Sequence, residues 1–412
     1  MSTLNTGDTA WVLVSAALVM LMTPGLGFFY GGLVRQKNVL STIMHSFFIL
    51  CLITIVWSLW GFTLAYGTDK GGLIGGLDYL GLKNVGAEPH AFYGITIPFS
   101  LFMLFQMMFA IITVALITGA FAERKRFKAF ALFAILWSTL VYSPVAHWIW
   151  ASGGWLYEFG ALDFAGGTVV HIASGVSALV AARLLGQRVG FGHEKMDPHD
   201  VTMTVLGAGL LWFGWYGFNA GSALGANGLA ANAAVVTTLS AAAGALSWMS
   251  ASWWRNGHPS VLGVALGAIA GLVGITPAAA YVSPVSAIAI GFGAGVICFF
   301  AVDLFKERAG IDDALDVFAV HGVGGIWGAL ATGLFASRSV NGIGADGLLY
   351  GNPAQLGKQI VAVGAVVLYA AVASFAILKL VDMIVGLRVG EREEVLGLDT
   401  TQHGEVAYQF QS

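Results

Sequence analysis

The stretch "LDFAGGTVVHIASGVSALV", residues 162–180, is apolar or small throughout except for a few hydroxyl residues, Asp163 at its start and His171 at its middle. An Asp or Lys at the centre of a membrane helix costs roughly 2.5–3.5 kcal/mol on insertion scales. Either this is an ordinary buried helix, or it is a membrane span that carries polar groups for a purpose. The rest of the chain decides. Its 412 residues are 57% hydrophobic and only 10% charged, with a mean hydropathy of +0.80. Runs of about 18 or more apolar residues with few charges are candidate spans, and this chain has many. The composition therefore predicts an all-α polytopic membrane protein. A net charge of −3 gives no reason to expect a nucleic-acid partner. Cys51 and Cys298 both fall inside apolar runs and read as buried fillers, neither a disulfide nor a metal site. The 56 glycines read first as packing devices, because small residues let membrane helices approach closely. The opening "MSTLNTGDTAWVLV" has no Lys or Arg before the first apolar run. A secretory signal would have a basic start, so the first helix is expected to be retained.

Eleven spans are expected, at about 10–32, 40–66, 95–121, 129–150, 163–185, 201–222, 231–253, 260–279, 284–304, 316–336 and 357–385. Polar breaks such as "VRQKN", "ERKRFK" and "FKERAGIDD" separate them. Alternate breaks and the tail hold thirteen Lys and Arg: Arg35, Lys37, Arg124, Lys125, Arg126, Lys128, Arg188, Lys195, Arg255, Lys306, Arg308, Arg388 and Arg392. The other breaks hold four: Lys70, Lys83, Arg338 and Lys358. Basic residues accumulate in cytoplasmic loops, which predicts the N-terminus outside and the C-terminus inside.

Two halves echo each other. "GFFYGG" at 27–32 resembles "GFNAGS" at 217–222, and Asp163 precedes His171 by the same eight positions that separate Asp313 from His321. Five spans plus five, an odd number per unit, gives an inverted repeat with a substrate path expected at its interface near mid-membrane. The expected division is a first five-helix unit over 1–200, an inverted second over 201–340, an outer loop and an eleventh, bracing helix over 341–385, and a cytoplasmic tail over 386–412.

Eight helical residues lower His171 about 12 Å below Asp163, nearly half of a hydrocarbon core of roughly 30 Å. Asp163 suits a cap whose carboxylate accepts backbone N–H bonds from the first turn. The same carboxylate would favour a cation beside it, and the two readings are compatible. Intramembrane ionisable residues usually mark a pathway, so His171 and His321 read as a facing pair, one imidazole donating and one accepting. Such a pair could line a narrow pore and pass a hydrogen bond or a proton to a small permeant. No third ligand falls at matching depth, so no metal is expected. Phe105 and Phe109 lie four apart on the third span, Phe218 and Ser222 four apart on the sixth, and Trp150 ends the fourth. Each alone reads as packing or as an interfacial belt residue. Together, aromatic faces and a hydroxyl describe a cage for a small, weakly hydrated monocation.

"PGLGFFYGGLVRQKNVLS", "LDFAGGTVVHI", "GWYGFNAGSAL", "DVFAVHGVGGIWG" and "GLDTTQHGEVAY" resemble the signature stretches of the Amt/MEP/Rh ammonium transporter family, on its Amt branch. The resemblance spans essentially the whole chain. It implies a homotrimer in the cell membrane with eleven helices and one pore per subunit. It implies that Phe109, Trp150 and Ser222 form an outer ammonium recruitment site and that Phe109 and Phe218 stack as a gate. It gives Asp163 a role in deprotonation or in site geometry. His171 and His321 become twin pore histidines, with Trp215 on the wall. The tail from about Gly386 resembles a regulatory tail that contacts a neighbouring subunit and a PII-type (GlnK-like) signalling protein. In the family a glycine often follows the recruitment-site tryptophan. Here the run is "WASGGWLYEFGALD", longer and more aromatic, so a different outer vestibule is expected. Methylammonium is the natural analogue of the substrate, and no cofactor is expected.

A bare monovalent ion entering an apolar pore leaves several kcal/mol of solvation behind. Ammonium avoids this by giving up its proton and crossing as ammonia, the proton following along the imidazoles. The alternative function is an ammonium sensor that binds but transports little. An intramembrane enzyme is not expected, since no nucleophile–base set or metal cluster is visible.

Overall fold

The computed structural model describes residues 4–408. Among these, ten helices are long and apolar enough to cross a membrane: α1 (Thr6–Leu33), α2 (Gln36–Tyr66), α3 (Phe99–Phe121), α4 (Phe127–Phe159), α5 (Gly167–Leu185), α6 (Val201–Ala223), α7 (Gly228–Asn256), α9 (Pro284–Arg308), α10 (Phe318–Phe335) and α11 (Pro353–Val385). Between α7 and α9 lies a shorter apolar helix, α8 (Val261–Ile275). Large apolar side chains such as Trp254, Val285 and Met383 point outward, as they must where hydrocarbon replaces water. The chain is a multi-pass membrane protein.

Several polar breaks in the sequence do local work as helix caps. Asn5, Asp200, Asn227, Ser260 and Ser283 each accept a backbone N–H from the first turn of the helix they precede. Those N–H groups have no partner inside the helix. Helix α4 breaks after Trp150, over residues 151–154, and resumes as a short turn over Trp155–Phe159. A two-stranded hairpin, β1 (Asp69–Lys70) against β2 (Ile74–Gly75), lies between α2 and α3, with Asp69 opposite Gly75.

Glycine sets how closely the helices pack. A Cβ on Gly291 would stand 2.1 Å from the Ser240 carbonyl oxygen, and one on Gly244 would stand 2.5 Å from that of Gly267. Neither position admits a side chain, so α7, α8 and α9 touch through their backbones. The same device joins α5 to α10, where a Cβ on Gly175 would meet the Gly322 backbone nitrogen at 2.2 Å. Gly322 directly follows His321, and Gly175 lies one turn beyond His171. The two histidine helices are thus in contact where their imidazoles sit.

Candidate functional site

The three helices that bring the site residues together share a local irregularity. Wide, π-type turns cover Gly167–Ile172, Tyr216–Ala220 and Phe318–Val323. They carry His171, Phe218 and His321. Turns of this kind also occur at Trp57–Gly61, Ser138–Tyr142, Asp303–Arg308 and Asp399–His403, so what singles these three out is the side chains they carry. Nothing in these apolar runs marks them, because a helix that is apolar all round gives no periodic signal.

Asp163 stands four residues ahead of α5 rather than at its first position. Gly166, at φ +116, turns the chain so that the carboxylate folds back over the helix start. It accepts the backbone N–H groups of Gly166, Gly167 and Thr168 at 2.8, 2.7 and 2.7 Å and that of Val169 at 3.2 Å. The Thr168 hydroxyl donates to it as well. The Asp163 side chain is therefore fully engaged by the first turn. Its backbone carbonyl is engaged too, accepting the Trp150 indole N–H at 2.8 Å. The residue thereby orients the tryptophan, a link that residue spacing does not reveal. Asp313 echoes only part of this: it accepts the Phe318 N–H at 2.7 Å through one oxygen, and its Oδ1 has no partner among the described residues.

A cavity of about 170 Å³ lies against Phe109, Trp150 and Ser222, closed further by Tyr66, Phe92, Tyr93, Phe102, Phe164 and Leu224. Phe109 packs edge-on to Trp150, with ring centroids 6.0 Å apart at 89°. The Ser222 hydroxyl donates to the Phe218 carbonyl at 2.8 Å, which leaves its lone pairs as acceptors. Gln106 also lines this cavity, and its Oε1 has no partner among the described residues. Gln106 is a site residue beyond the aromatic and hydroxyl set that spacing and resemblance single out. The signal was available: an amide one turn before Phe109 in the otherwise apolar run "LFMLFQMMFAIITVALI".

Below the cavity the Phe109 and Phe218 rings stack with centroids 4.3 Å apart. On the far side of Phe218 lies a second, narrow space of about 10 Å³, lined by His171, His321, Trp215 and Phe218 and otherwise by residues such as Met22, Leu26, Leu116 and Ile269. That is room for about one water-sized molecule. The Nδ1 atoms of His171 and His321 face each other at 3.2 Å, so one donates and the other accepts. The rings are 5.3 Å apart at 22°. Trp215 stacks on His171 at 5.6 Å and 18°, its indole N–H donating to the Thr276 hydroxyl at 3.0 Å. Nε2 of His171 has no partner among the described residues. Phe105, expected beside Phe109, contacts it edge-on at 5.0 Å but is fully buried. The site is thus a column running from Trp150 through two phenylalanines to two imidazoles. It offers acceptors and aromatic faces at one end and a dry, narrow slot at the other.

At the basic end of the molecule the tail folds onto its own chain. Arg35 and Arg188 flank Glu123 at 2.6 and 3.5 Å, and Arg188 also pairs with Asp312 at 2.8 Å. Glu394 of the tail pairs with Arg388 at 2.7 Å and accepts the Val189 N–H at 2.6 Å.

The family model described as the Ammonium Transporter Family matches residues 10–408. An ammonium transporter of Bacillus subtilis is 54% identical over 98% of this chain and 98% of its own length. The crystal structure of Candida albicans Mep2 is 41% identical, with a TM-score of 0.90, covering 98% of this chain and 90% of that one. The solved structure of a sensor Amt protein is 29% identical, with a TM-score of 0.89 over 96% of this chain and 98% of that one. By the extent of these matches, this chain belongs to the ammonium transporter family.

Proposed function

We propose that the protein carries ammonium across the cell membrane by recruiting NH₄⁺, stripping its proton and passing NH₃ between two histidines. The observation that carries this reading is the imidazole pair, Nδ1 to Nδ1 at 3.2 Å, in a space of about 10 Å³ beneath a stacked phenylalanine pair. Phe109, Trp150 and Ser222 hold the cation, the aromatic faces contributing about 0.5–2 kcal/mol and the hydroxyl and the Gln106 carbonyl accepting its N–H groups. Phe109 and Phe218 gate the slot. Asp163 holds the geometry by capping α5 and fixing Trp150. His171 and His321, with Trp215 as the wall, accept and return hydrogen bonds as ammonia passes. Potassium and sodium have no proton to surrender and would forfeit several kcal/mol of hydration. The released proton follows along the imidazoles, which makes transport electrogenic.

The same reading makes the chain a transporter rather than an enzyme, a homotrimer with one path per subunit. It has two inverted five-helix halves, 1–200 and 201–340, a bracing helix within 341–385 and a regulatory tail over 386–412. The N-terminus lies outside, and a PII-type protein docks at the cytoplasmic face. Two measurements test it. Ammonium added to proteoliposomes should drive an inward current; uptake without charge movement would leave only a neutral-gas path. His171→Ala removes a partner worth about 1–3 kcal/mol in a dry site, so methylammonium uptake should slow roughly 5- to 150-fold. Full binding with no uptake in the unsubstituted protein would make it a sensor instead.

A further inference from the structure

His147 lies on α4 one turn before Trp150 and is fully buried. Its Nδ1 stands 2.8 Å from the Ala65 carbonyl oxygen and its Nε2 stands 2.8 Å from Oδ1 of Asp69. A carbonyl can only accept, so Nδ1 carries a hydrogen. Opposite a carboxylate, either Nε2 or the carboxyl must carry the other. Burial works to push the Asp69 carboxyl up, but hydrogen bonds from His147 and from the Gly72 N–H hold it below the usual carboxylate range. Two acceptors, a carbonyl and a carboxylate, thus flank the ring, and the geometry calls for a hydrogen on each of its nitrogens.

We propose that the His147 imidazolium and the Asp69 carboxylate form a strap that positions Trp150 over the ammonium cavity. The strap ties hairpin β1–β2 to the helix end. Its surroundings reinforce it: the Trp148 indole N–H donates to the Leu73 carbonyl at 2.8 Å and the Trp155 N–H to the Gly72 carbonyl at 3.1 Å. Gly153, at φ +87, presses against Asp69, leaving only 2.7 Å between a Cβ there and that of Asp69. The His147 carbonyl accepts the Ala151 N–H at 3.2 Å and so closes the turn that bears Trp150. The indole N–H at the other side is held by Asp163. Trp150 is fixed from both sides, and one of those sides depends on a proton.

The neighbouring elements carry other titratable groups: Tyr66 on α2, Lys70 beside Asp69 in β1, Tyr142 earlier on α4, Tyr157 and Glu158 after its break, Tyr93 before α3, and Asp163 before α5. Among the described residues Asp69 is the carboxylate within ion-pair distance of the ring. Its side chain is 30% exposed, so the pair exchanges its proton with the medium. The inference rests on the transport reading and adds to it a positioning pair, with an affinity that falls as the medium on that side turns alkaline.

The test is methylammonium uptake into proteoliposomes by the full chain, by His147→Gln, by Asp69→Asn and by the double variant. Concentrations are corrected for the protonated fraction, and the medium runs from about pH 6 to about pH 8.5, where histidine gives up its proton. The strap predicts that each single variant raises KM about three- to tenfold with kcat held within about twofold. The double variant should be no worse than either single one. The unsubstituted protein's KM should climb with pH toward that of the variants, whose own KM stays flat. Asp69→Glu, which keeps the charge, should keep both the low KM and its pH dependence. If His147→Gln does not fold, the unsubstituted protein, Asp69→Asn and Asp69→Glu decide alone. A KM indifferent to pH and to these substitutions, or a fall in kcat alone, overturns the strap. Trp150→Leu run alongside separates the two readings. If it raises KM while the pair variants do not, the strap fails and the cavity reading stands; if it leaves KM unmoved, the cavity reading fails.

Discussion

Two aspartates at the same spacing from two histidines have different surroundings, and the difference is measurable. Asp163 satisfies both its oxygens on the first turn of α5. Asp313, in the loop ahead of α10, has one bonded oxygen and one without a partner among the described residues. Burial, with Asp316 adding repulsion, pushes the Asp313 carboxyl up to about 6 from 3.8. A group whose folded-state value is raised favours folding in its protonated form. That contribution is fully present below about pH 3.8 and is lost as pH rises through about 6. A shift of two units corresponds to about 3 kcal/mol at most. Asp313→Asn, which is neutral at every pH, should therefore raise the thermal midpoint of the detergent-solubilised protein near neutral pH. Near pH 4 the gain should disappear. An equal gain at both values would mean that the charge is not what strains this loop.

At the scale of elements, the tail completes a helix that its own sequence leaves uncapped. The regular part of α2, Val39–Val56, follows an initial tight turn over Gln36–Asn38 and has no side-chain cap from Asn38, which accepts instead the Leu398 N–H at 2.8 Å. The α2 N–H groups of Leu40 and Ser41 are taken by Asp399, 3.0 and 2.8 Å away in space and some 360 positions later in the chain. Tail and helix exchange caps. Lys37 adds a hydrogen bond from its ammonium to the Val395 carbonyl at 2.7 Å. Losing an Asp cap costs about 1 kcal/mol, and here the loss falls on the docking of the tail. Asp399→Ala should make the segment after Gly397 markedly more sensitive to protease, while the spans stay protected. Unchanged cleavage would show that the Lys37, Asn38 and Glu394 contacts hold the tail down without Asp399. No local rule exposes such a cap, because the sequence around residue 38 cannot name a partner so far along the chain. The wide turns under His171, Phe218 and His321 escape local reading for a related reason. In an apolar span, lipid-facing and protein-facing positions look alike, so backbone irregularity leaves no pattern.

For the molecule as a whole, the legible features were those that the bilayer imposes. Hydrocarbon demands long apolar helices, so "LDFAGGTVVHIASGVSALV" announced a span; ionisable residues are costly there, so Asp163, His171 and His321 stood out. Spacing paired aromatics only within a span, and their grouping across spans came from the family resemblance; the structure gathers Phe109, Trp150, Ser222 and Phe218 into one column. What stayed hidden was held by backbone atoms or by distant partners: the Asp163 carbonyl on Trp150, the Gly175–Gly322 contact, and Gln106 on the cavity wall.

Charge asymmetry carries one further expectation at this scale. Thirteen basic residues against four put the tail and the Arg35–Glu123–Arg188–Asp312 cluster on the cytoplasmic side. An odd number of spans per half then inverts the second half. Cysteines placed in a variant lacking Cys51 and Cys298 test both points at once with a membrane-impermeant maleimide. Asn84→Cys, between α2 and α3, and Ser339→Cys, after α10, should be labelled on intact cells. Lys195→Cys, between α5 and α6, and His258→Cys, between α7 and α8, should react only after the membrane is opened. All four of these positions are exposed, so accessibility within the protein does not limit the reaction. Labelling of Lys195→Cys from outside would reverse the orientation. Labelling of Asn84→Cys without Ser339→Cys would mean that the halves are not inverted, and the pairing of His171 with His321 would then need an origin other than an inverted repeat.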